Sequence, residues 1–183
     1  LFTRQDIGLV CVTLAPENVP TEIIKELVSA NVKVCLGHSN ASAQQTQAAL
    51  KAGATGFTHL FNAMSPLQGR EAGVVGAALL DSTSYCGLIV DHEHVENISC
   101  QLAIKCKTAK HIMLVTDAMS HVGSDQAVLE FAGMQINRQG NKLTIEDGRL
   151  AGSALDMATA LRNCIQDLNC TVEDALVMAS TTP

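Results

Sequence analysis

Short apolar segments recur along the chain, each flanked by polar or Gly-rich punctuation: Leu9 to Leu14, Val32 to Leu36, Gly56 to Leu60, Tyr85 to Val90 and Ile112 to Val115. Consecutive apolar, β-branched positions of this length predict strands buried on both faces. Helical patterns lie between them. Thr21 to Ala30 carries Ile23, Ile24, Leu27 and Val28 on one stripe, opened by Pro20 and Thr21,. Ser42 with Gln45 three residues on forms a capping-box pattern, Ala48, Ala49 and Leu50 favour helix, and Gly53 ends it,. A third helical segment is predicted over Val95 to Lys105. Repeated β-α alternation implies parallel strands with helical crossovers, in an open doubly wound sheet or in part of an eightfold barrel.

Beyond Asp117 the pattern changes. Val128 to Ile136 and Lys142 to Ile145 predict two strands joined by a turn at Arg138-Gln139-Gly140-Asn141, a hairpin insertion at about 126–147,. Ser153 then opens a predicted helix with apolar faces at Leu155, Ala158, Leu161, Ile165 and Leu168. Thr171 with Asp174 opens another, carrying Ala175, Leu176 and Ala179,. No Pro/Ser-rich linker or low-complexity tract interrupts the chain, so the hairpin reads as an elaboration on a barrel.

Composition narrows the function classes. The 183 residues are 47% hydrophobic and 16% charged with a formal charge of −6, which argues against a disordered chain, a membrane span and a basic nucleic-acid binder. Aromatics at 3% with no Trp leave no stacking surface for single strands,. Gly-x-Gly-x-x-Gly and P-loop signatures are missing, so nucleotide-binding forms lose ground. The seven cysteines lack a Cys-x-x-Cys pair and sit mostly among Val, Leu and Ile, as reduced core residues of a cytoplasmic protein do,. No cationic start followed by an apolar run argues for export. An opening at Leu1 without Met, and an end at Thr182-Pro183 straight after a helical pattern, predict a partial chain.

Polar chemistry repeatedly follows the end of an apolar strand. Gly37 leads to His38, Thr58 to His59, Val90 to Asp91 and His94, and Thr116 to Asp117. In an α/β barrel those ends open on one face, where residues distant in sequence meet. Two neutral imidazoles and a carboxylate suit a divalent ion such as zinc or iron, which makes His38, His59 and Asp117 the leading set. Asp91-His92-Glu93-His94 offers a lesser metal site, with His92 and His94 on one strand face,. His111 and His121 are expected at the solvated surface, and Lys105 to Lys110 as a solvated helix end. Gln68-Gly69-Arg70-Glu71-Ala72-Gly73 places an Arg fork between glycines, fit for phosphate or carboxylate or for a surface ion pair,. Leu150-Ala151-Gly152-Ser153 is expected at a helix start, where backbone amides either meet a polar ligand or simply cap the helix.

Taken in order, the strings Val12 to Glu17 (VTLAPE), Gly37 to Ala41, Thr58 to Met64, Gly69-Arg70-Glu71, Asp91 to His94, Leu114 to Ala118 and Leu150 to Ser153 resemble the N-acetylglucosamine-6-phosphate deacetylase family of the amidohydrolase superfamily. The resemblance implies the later strands of a metal-dependent-hydrolase (β/α)8 barrel, the C-terminal portion of the catalytic barrel over 1–183, without the first strands and most of an accessory β-sandwich. It implies hydrolysis of the acetamide of N-acetyl-D-glucosamine 6-phosphate to D-glucosamine 6-phosphate and acetate. His38 and His59 become metal ligands, for zinc or for iron or another divalent ion, and Asp117 the acid/base. Asn62, the Ala63 backbone, Arg70, Asp91, His94 and the Leu150, Ala151 and Gly152 backbone become substrate contacts. Arg70 reaching a neighbouring subunit's phosphate would make a homodimer or higher homo-oligomer part of the site. His92 stands where the family commonly has Gly. The family's further Glu ligand, from a His-x-Glu-Gly-Pro segment, has no match before Val12, and Glu17 is no substitute for it. The alternatives are another amidohydrolase, such as a cyclic amidohydrolase or deaminase, and a non-catalytic sugar-phosphate-binding barrel.

Overall fold

The computed structural model describes residues 6, 8–124 and 126–183. A sheet of strand order β1-β2-β3-β4-β5 is built from β1 (Cys11–Leu14), β2 (Lys33–Leu36), β3 (Gly56–Phe57), β4 (Tyr85–Leu88) and β5 (Ile112–Leu114). Parallel registers pair Thr13 with Cys35, Cys35 with Gly56, and Phe57 with Cys86. Helices α1 (Thr21–Ser29), α2 (Ala43–Lys51), α3 (Gly73–Leu80) and α4 (Asn97–Lys107) lie between successive strands. This is the β-α alternation expected of a partial (β/α)8 barrel,. The strands are shorter than their apolar runs. Residues 58–60, 89–90 and 115 lie beyond the strand ends, where the backbone turns to carry polar side chains.

The described residues fall into two compact units, one up to Gly87 together with Ala103–Ile112, the other Leu88–Leu102 with Met113–Pro183. In the first, Ile24, Val34, Leu36, Phe57, Val74, Ala78 and Ile112 form a dry core. The α2 cap behaves as its sequence demands: Ser42 Oγ accepts from Gln45 N–H, and Gln45 Oε1 accepts from Ser42 N–H. Helix α3 has no counterpart in the sequence pattern. Its sequence GVVGAALL is apolar all round, so no amphipathic stripe announces it, and Gly73, Val74, Val75, Ala77 and Ala78 are buried,. Lys105, Cys106, Thr108 and Lys110 are exposed, as expected of a solvated helix end, but Lys107 is not. It is 2% exposed, and its ammonium donates to the Asp81 carbonyl and to Ser84 Oγ. Burial pushes its pKa down, because the charged form loses water,.

In the second unit, Leu88, Ile89, Leu114, Ile136, Leu143, Ala160 and Met178 are buried. The expected hairpin is a four-stranded antiparallel sheet, β6 (Val128–Phe131), β7 (Met134–Gln139), β8 (Lys142–Thr144) and β9 (Leu150–Ser153). The single strand read over Val128 to Ile136 is two, folded at Ala132 and Gly133, both at positive φ. Ser153 ends β9 and opens no helix; Asp156 instead caps α5 (Met157–Asp167) by accepting from Thr159 N–H at 2.9 Å. Thr171 caps α6 (Val172–Leu176) through Asp174 N–H as predicted. Among the described residues no helix is long and apolar enough to cross a membrane.

Candidate active site and metal centre

The residues after β2 and β3 face each other in the first unit. Leu36 and Phe57 are buried and paired, and the main chain then turns at Gly37, where a Cβ would lie 3.0 Å from Thr58 Cβ and 3.1 Å from Thr13 Cγ2. His38 and His59 follow with φ of 48° and 35°. Non-Gly residues in that region carry strain that the surroundings must offset, and such residues gather at functional sites. The two imidazoles meet edge-on, ring planes at 74°, with Nε2 to Nε2 at 2.9 Å. Two ring nitrogens that close need a proton or a cation between their lone pairs. His59 is buried, and its Nδ1 has no hydrogen-bond partner among the described residues, so Nε2 is the nitrogen its surroundings engage. Imidazole nitrogens converging in this way fit a divalent ion.

Around the histidines the two turns are laced together. Ser39, 2% exposed, donates its N–H to the Ala63 carbonyl and accepts Ser65 N–H on its own carbonyl, and Ser39 bridges Met64. Asn62 turns its amide back toward the His59 and Leu60 carbonyls at 3.4 and 3.3 Å, bracing the turn that carries His59. Ala63 is exposed at φ 48°. Arg70 is exposed on the following loop, whose foot is fixed: Glu71 accepts from Ala43 N–H at 2.8 Å and Gly73 N–H at 2.9 Å. Those bonds hold the Glu71 carboxyl below the usual carboxylate range. Glu17 accepts from Ser39 Oγ and Asn40 N–H; burial alone would raise its pKa, and these bonds bring it lower.

In the second unit Asp91, 3% exposed, accepts from Glu93 N–H, His94 N–H and His94 Nδ1, the last at 2.5 Å. Burial works to raise its pKa, and the three bonds outweigh it, holding the carboxyl below its ordinary value,. A carboxylate on Nδ1 fixes the ring's orientation and leaves Nε2 for another partner. The His92 and His94 metal pair is not formed. Residues 91–95 are bends, His92 has φ 66°, and its nitrogens go to Asn97 at 3.1 Å and Asp167 at 3.4 Å. A turn in place of a strand removes the shared face.

Asp117 is exposed with φ 50°, and β9 lies against it: Ser153 N–H donates to Asp117 O at 2.8 Å, Met119 N–H to Ser153 O, and Ser153 Oγ to the Thr116 carbonyl. Leu150, Ala151 and Gly152 thus lie on a strand, not at a helix start, and the Gly152–Ser153 end of that strand stands beside Asp117. Gly152 has φ +67°, and a Cβ there would lie 2.9 Å from Asp117 O and 2.6 Å from Met119 Cγ, so a residue without a side chain permits the approach,. His121 is also corrected. It is fully buried with both ring nitrogens unpartnered among the described residues, on a turn whose His121 and Ser124 carbonyls accept from Arg138 Nη1. His111 is half-buried against Tyr85, ring centroids 5.2 Å apart. Among the described residues no group of three or more His, Cys, Asp or Glu gathers around one point.

Nothing in the sequence pattern marks the carboxylates of Glu17 and Glu71 as organisers of the site. Ser39 Oγ, Asn40 N–H and Ala43 N–H lie 22 to 28 residues from the carboxylates they bond, separations that no local pattern encodes; Gly73 N–H alone is near in sequence to its partner, Glu71.

Searched against family models, the chain matches none. It is 48% identical over 183 residues to an N-acetylgalactosamine-6-phosphate deacetylase of Shewanella sp. (strain ANA-3), covering 100% of this chain and 46% of the relative. It is 37% identical over 171 residues to an N-acetylglucosamine-6-phosphate deacetylase of Lysinibacillus sphaericus, covering 92% of this chain and 44% of the relative. The crystal structure of N-acetylglucosamine-6-phosphate deacetylase from Pasteurella multocida superposes with a TM-score of 0.91 at 36% identity, over 95% of this chain and 46% of that one. The chain therefore spans about half the length of the curated relatives it matches.

Proposed function

Because the chain belongs to the N-acetylglucosamine/N-acetylgalactosamine-6-phosphate deacetylase family of the amidohydrolase superfamily, we propose that it serves the metal-dependent removal of acetate from N-acetyl-D-glucosamine 6-phosphate, a step of amino-sugar catabolism. The observation that carries this reading is the approach of His38 Nε2 to His59 Nε2 at 2.9 Å on adjoining strand ends. These two side chains would hold a divalent ion, zinc first and iron or another divalent ion next. When bound, such an ion lowers the pKa of water and polarises a carbonyl oxygen.

The remaining steps belong to the chain's own residues. Asp117 takes the proton of the attacking water and returns it to the amine nitrogen, so the C–N bond breaks without expelling an amide anion. The β9 backbone at Leu150, Ala151 and Gly152, whose far end is fixed against Asp117 through Ser153, contacts the phosphorylated sugar. His94, oriented by Asp91, offers Nε2 to a sugar hydroxyl. Asn62 and Ala63 contact the sugar phosphate. Arg70, exposed on a clamped loop, presents its fork to phosphate, and reaching the phosphate of a neighbouring subunit makes a homodimer or higher homo-oligomer the working form. The setting is cytoplasmic, where the free thiols of Cys86, Cys100 and Cys164 remain reduced,.

A second reading has its own support: the Shewanella relative acts on the galactosamine compound, the C4 epimer, at 48% identity. The test is acetate release by the full-length metal-loaded protein from both 6-phosphorylated epimers and from their unphosphorylated forms. Acetate from a phosphorylated epimer, with much less from the free sugar, supports the proposal. Ammonia release, ring opening of a cyclic amide, or binding without turnover contradicts it.

A further inference from the structure

We propose that Glu17 is a positioning residue for the metal centre: its carboxylate, reaching from the end of β1, sets the turn that aims His38 at His59. This rests on the reading of His38 and His59 as ligands. The geometry is specific. Glu17 Oε2 accepts from Ser39 Oγ at 2.6 Å, and Oε1 accepts from Asn40 N–H at 2.7 Å, so both oxygens are committed to the two residues that follow His38. A carboxylate so engaged orients the turn instead of ligating the ion. Short bonds to an ionised acceptor are the strong ones.

Ser39 passes the constraint on. Its hydroxyl also accepts from Ala41 N–H at 3.1 Å, its N–H donates to the Ala63 carbonyl at 2.9 Å, and its carbonyl accepts from Ser65 N–H at 3.0 Å. One buried serine therefore joins the turn bearing His38 to the segment after His59, and Glu17 fixes that serine's hydroxyl. The need for such a clamp is local. His38 sits at φ 48°, a conformation non-Gly residues leave unless neighbours hold them,. Without Glu17, the Ser39 hydroxyl and Asn40 N–H lose their shared acceptor, and the His38 turn is free to relax toward ordinary backbone.

The experiment uses the full-length protein as wild type, Glu17→Gln, Glu17→Asp and His38→Ala. Each is stripped of metal and titrated with Co(II) against a chelator, following the cobalt d–d band, and each apo form is melted. Partners that orient a ligand typically contribute 10–100-fold in metal affinity. Glu17→Gln is expected to bind Co(II) about 10–100-fold more weakly with a shifted d–d band, while its apo melting temperature stays near wild type. Glu17→Asp, which keeps the charge but loses reach, falls between. Affinity and spectrum equal to wild type in Glu17→Gln, or a change confined to apo melting, overturns the inference. Should Glu17→Gln not fold, Glu17→Asp is judged by the same two criteria. Equal affinity of His38→Ala and wild type would instead reject the ligand reading itself, and the inference with it.

Discussion

Replacing Gly152 with alanine adds one methyl group where β9 approaches Asp117, and the structure sets the size of the effect. The residue lies at φ +67°, which costs an L side chain about 1–2 kcal/mol,. The new Cβ would stand 2.9 Å from the Asp117 carbonyl oxygen and 2.6 Å from Met119 Cγ. The methionine end is flexible and yields. The Asp117 carbonyl is tied to Ser153 N–H at 2.8 Å and cannot yield without breaking the pairing. Overpacking of this kind adds roughly 1–3 kcal/mol. Alanine also restricts the unfolded chain more than glycine, which returns about 0.4–1 kcal/mol. The net destabilisation expected is about 1–4.5 kcal/mol. Urea unfolding of the full-length protein reads it as a lower midpoint at unchanged slope. Turnover of the phosphorylated acetamide is expected to fall as well, because the residue displaced is the proposed acid/base. A loss below about 0.5 kcal/mol, within the range of an indifferent surface change, with wild-type turnover would mean that no close approach at Gly152 needs the missing side chain.

Other outcomes follow from the same geometry. Asp117→Asn should keep its metal, by elemental analysis, and lose turnover by about 10²–10⁴-fold, the usual contribution of a positioned acid/base; near-normal turnover rejects the assignment. Arg70→Ala should mainly raise KM for phosphorylated substrate, and equal losses on phosphorylated and free sugars count against a phosphate contact. His121→Leu should leave stability unchanged or raise it by about 1–3 kcal/mol in thermal unfolding, since an unpartnered buried polar group costs about that much. A marked loss would mean the ring has a partner. Asp91 carries a pH signature. Its folded pKa is depressed, so its contribution is present above the unfolded carboxylate value of about 3.9 and is lost as pH falls through the lower folded value,. The stability gap between wild type and Asp91→Asn should therefore be flat above about pH 5 and close on acidification, and a gap constant down to pH 2 contradicts this.

What could be read from the sequence was local. Ser42 and Gln45 cap α2 because both partners lie within one turn. The strands β1 to β5 lie where consecutive apolar residues stand, and their polar successors His38, His59 and Asp117 fall just past the strand ends. Failures came where tertiary context decided. Helix α3 has no polar face to betray its period. The β6–β7 turn is made by Ala132 and Gly133, and alanine at φ 53° is not a residue that announces a turn. Lys107 and His121 are polar by type yet buried, one satisfied by a carbonyl and a hydroxyl, the other without a partner among the described residues. Glu17 and Glu71 act on backbone far away in sequence, so only the folded chain discloses them.

His38 and His59 are proposed to share one divalent ion. Crystals of the full-length protein grown with zinc, with data collected on either side of the zinc absorption edge, decide this. An anomalous peak is expected about 2.0–2.1 Å from Nε2 of both histidines. A peak bound elsewhere, with these two nitrogens still facing each other across a hydrogen bond, would contradict it.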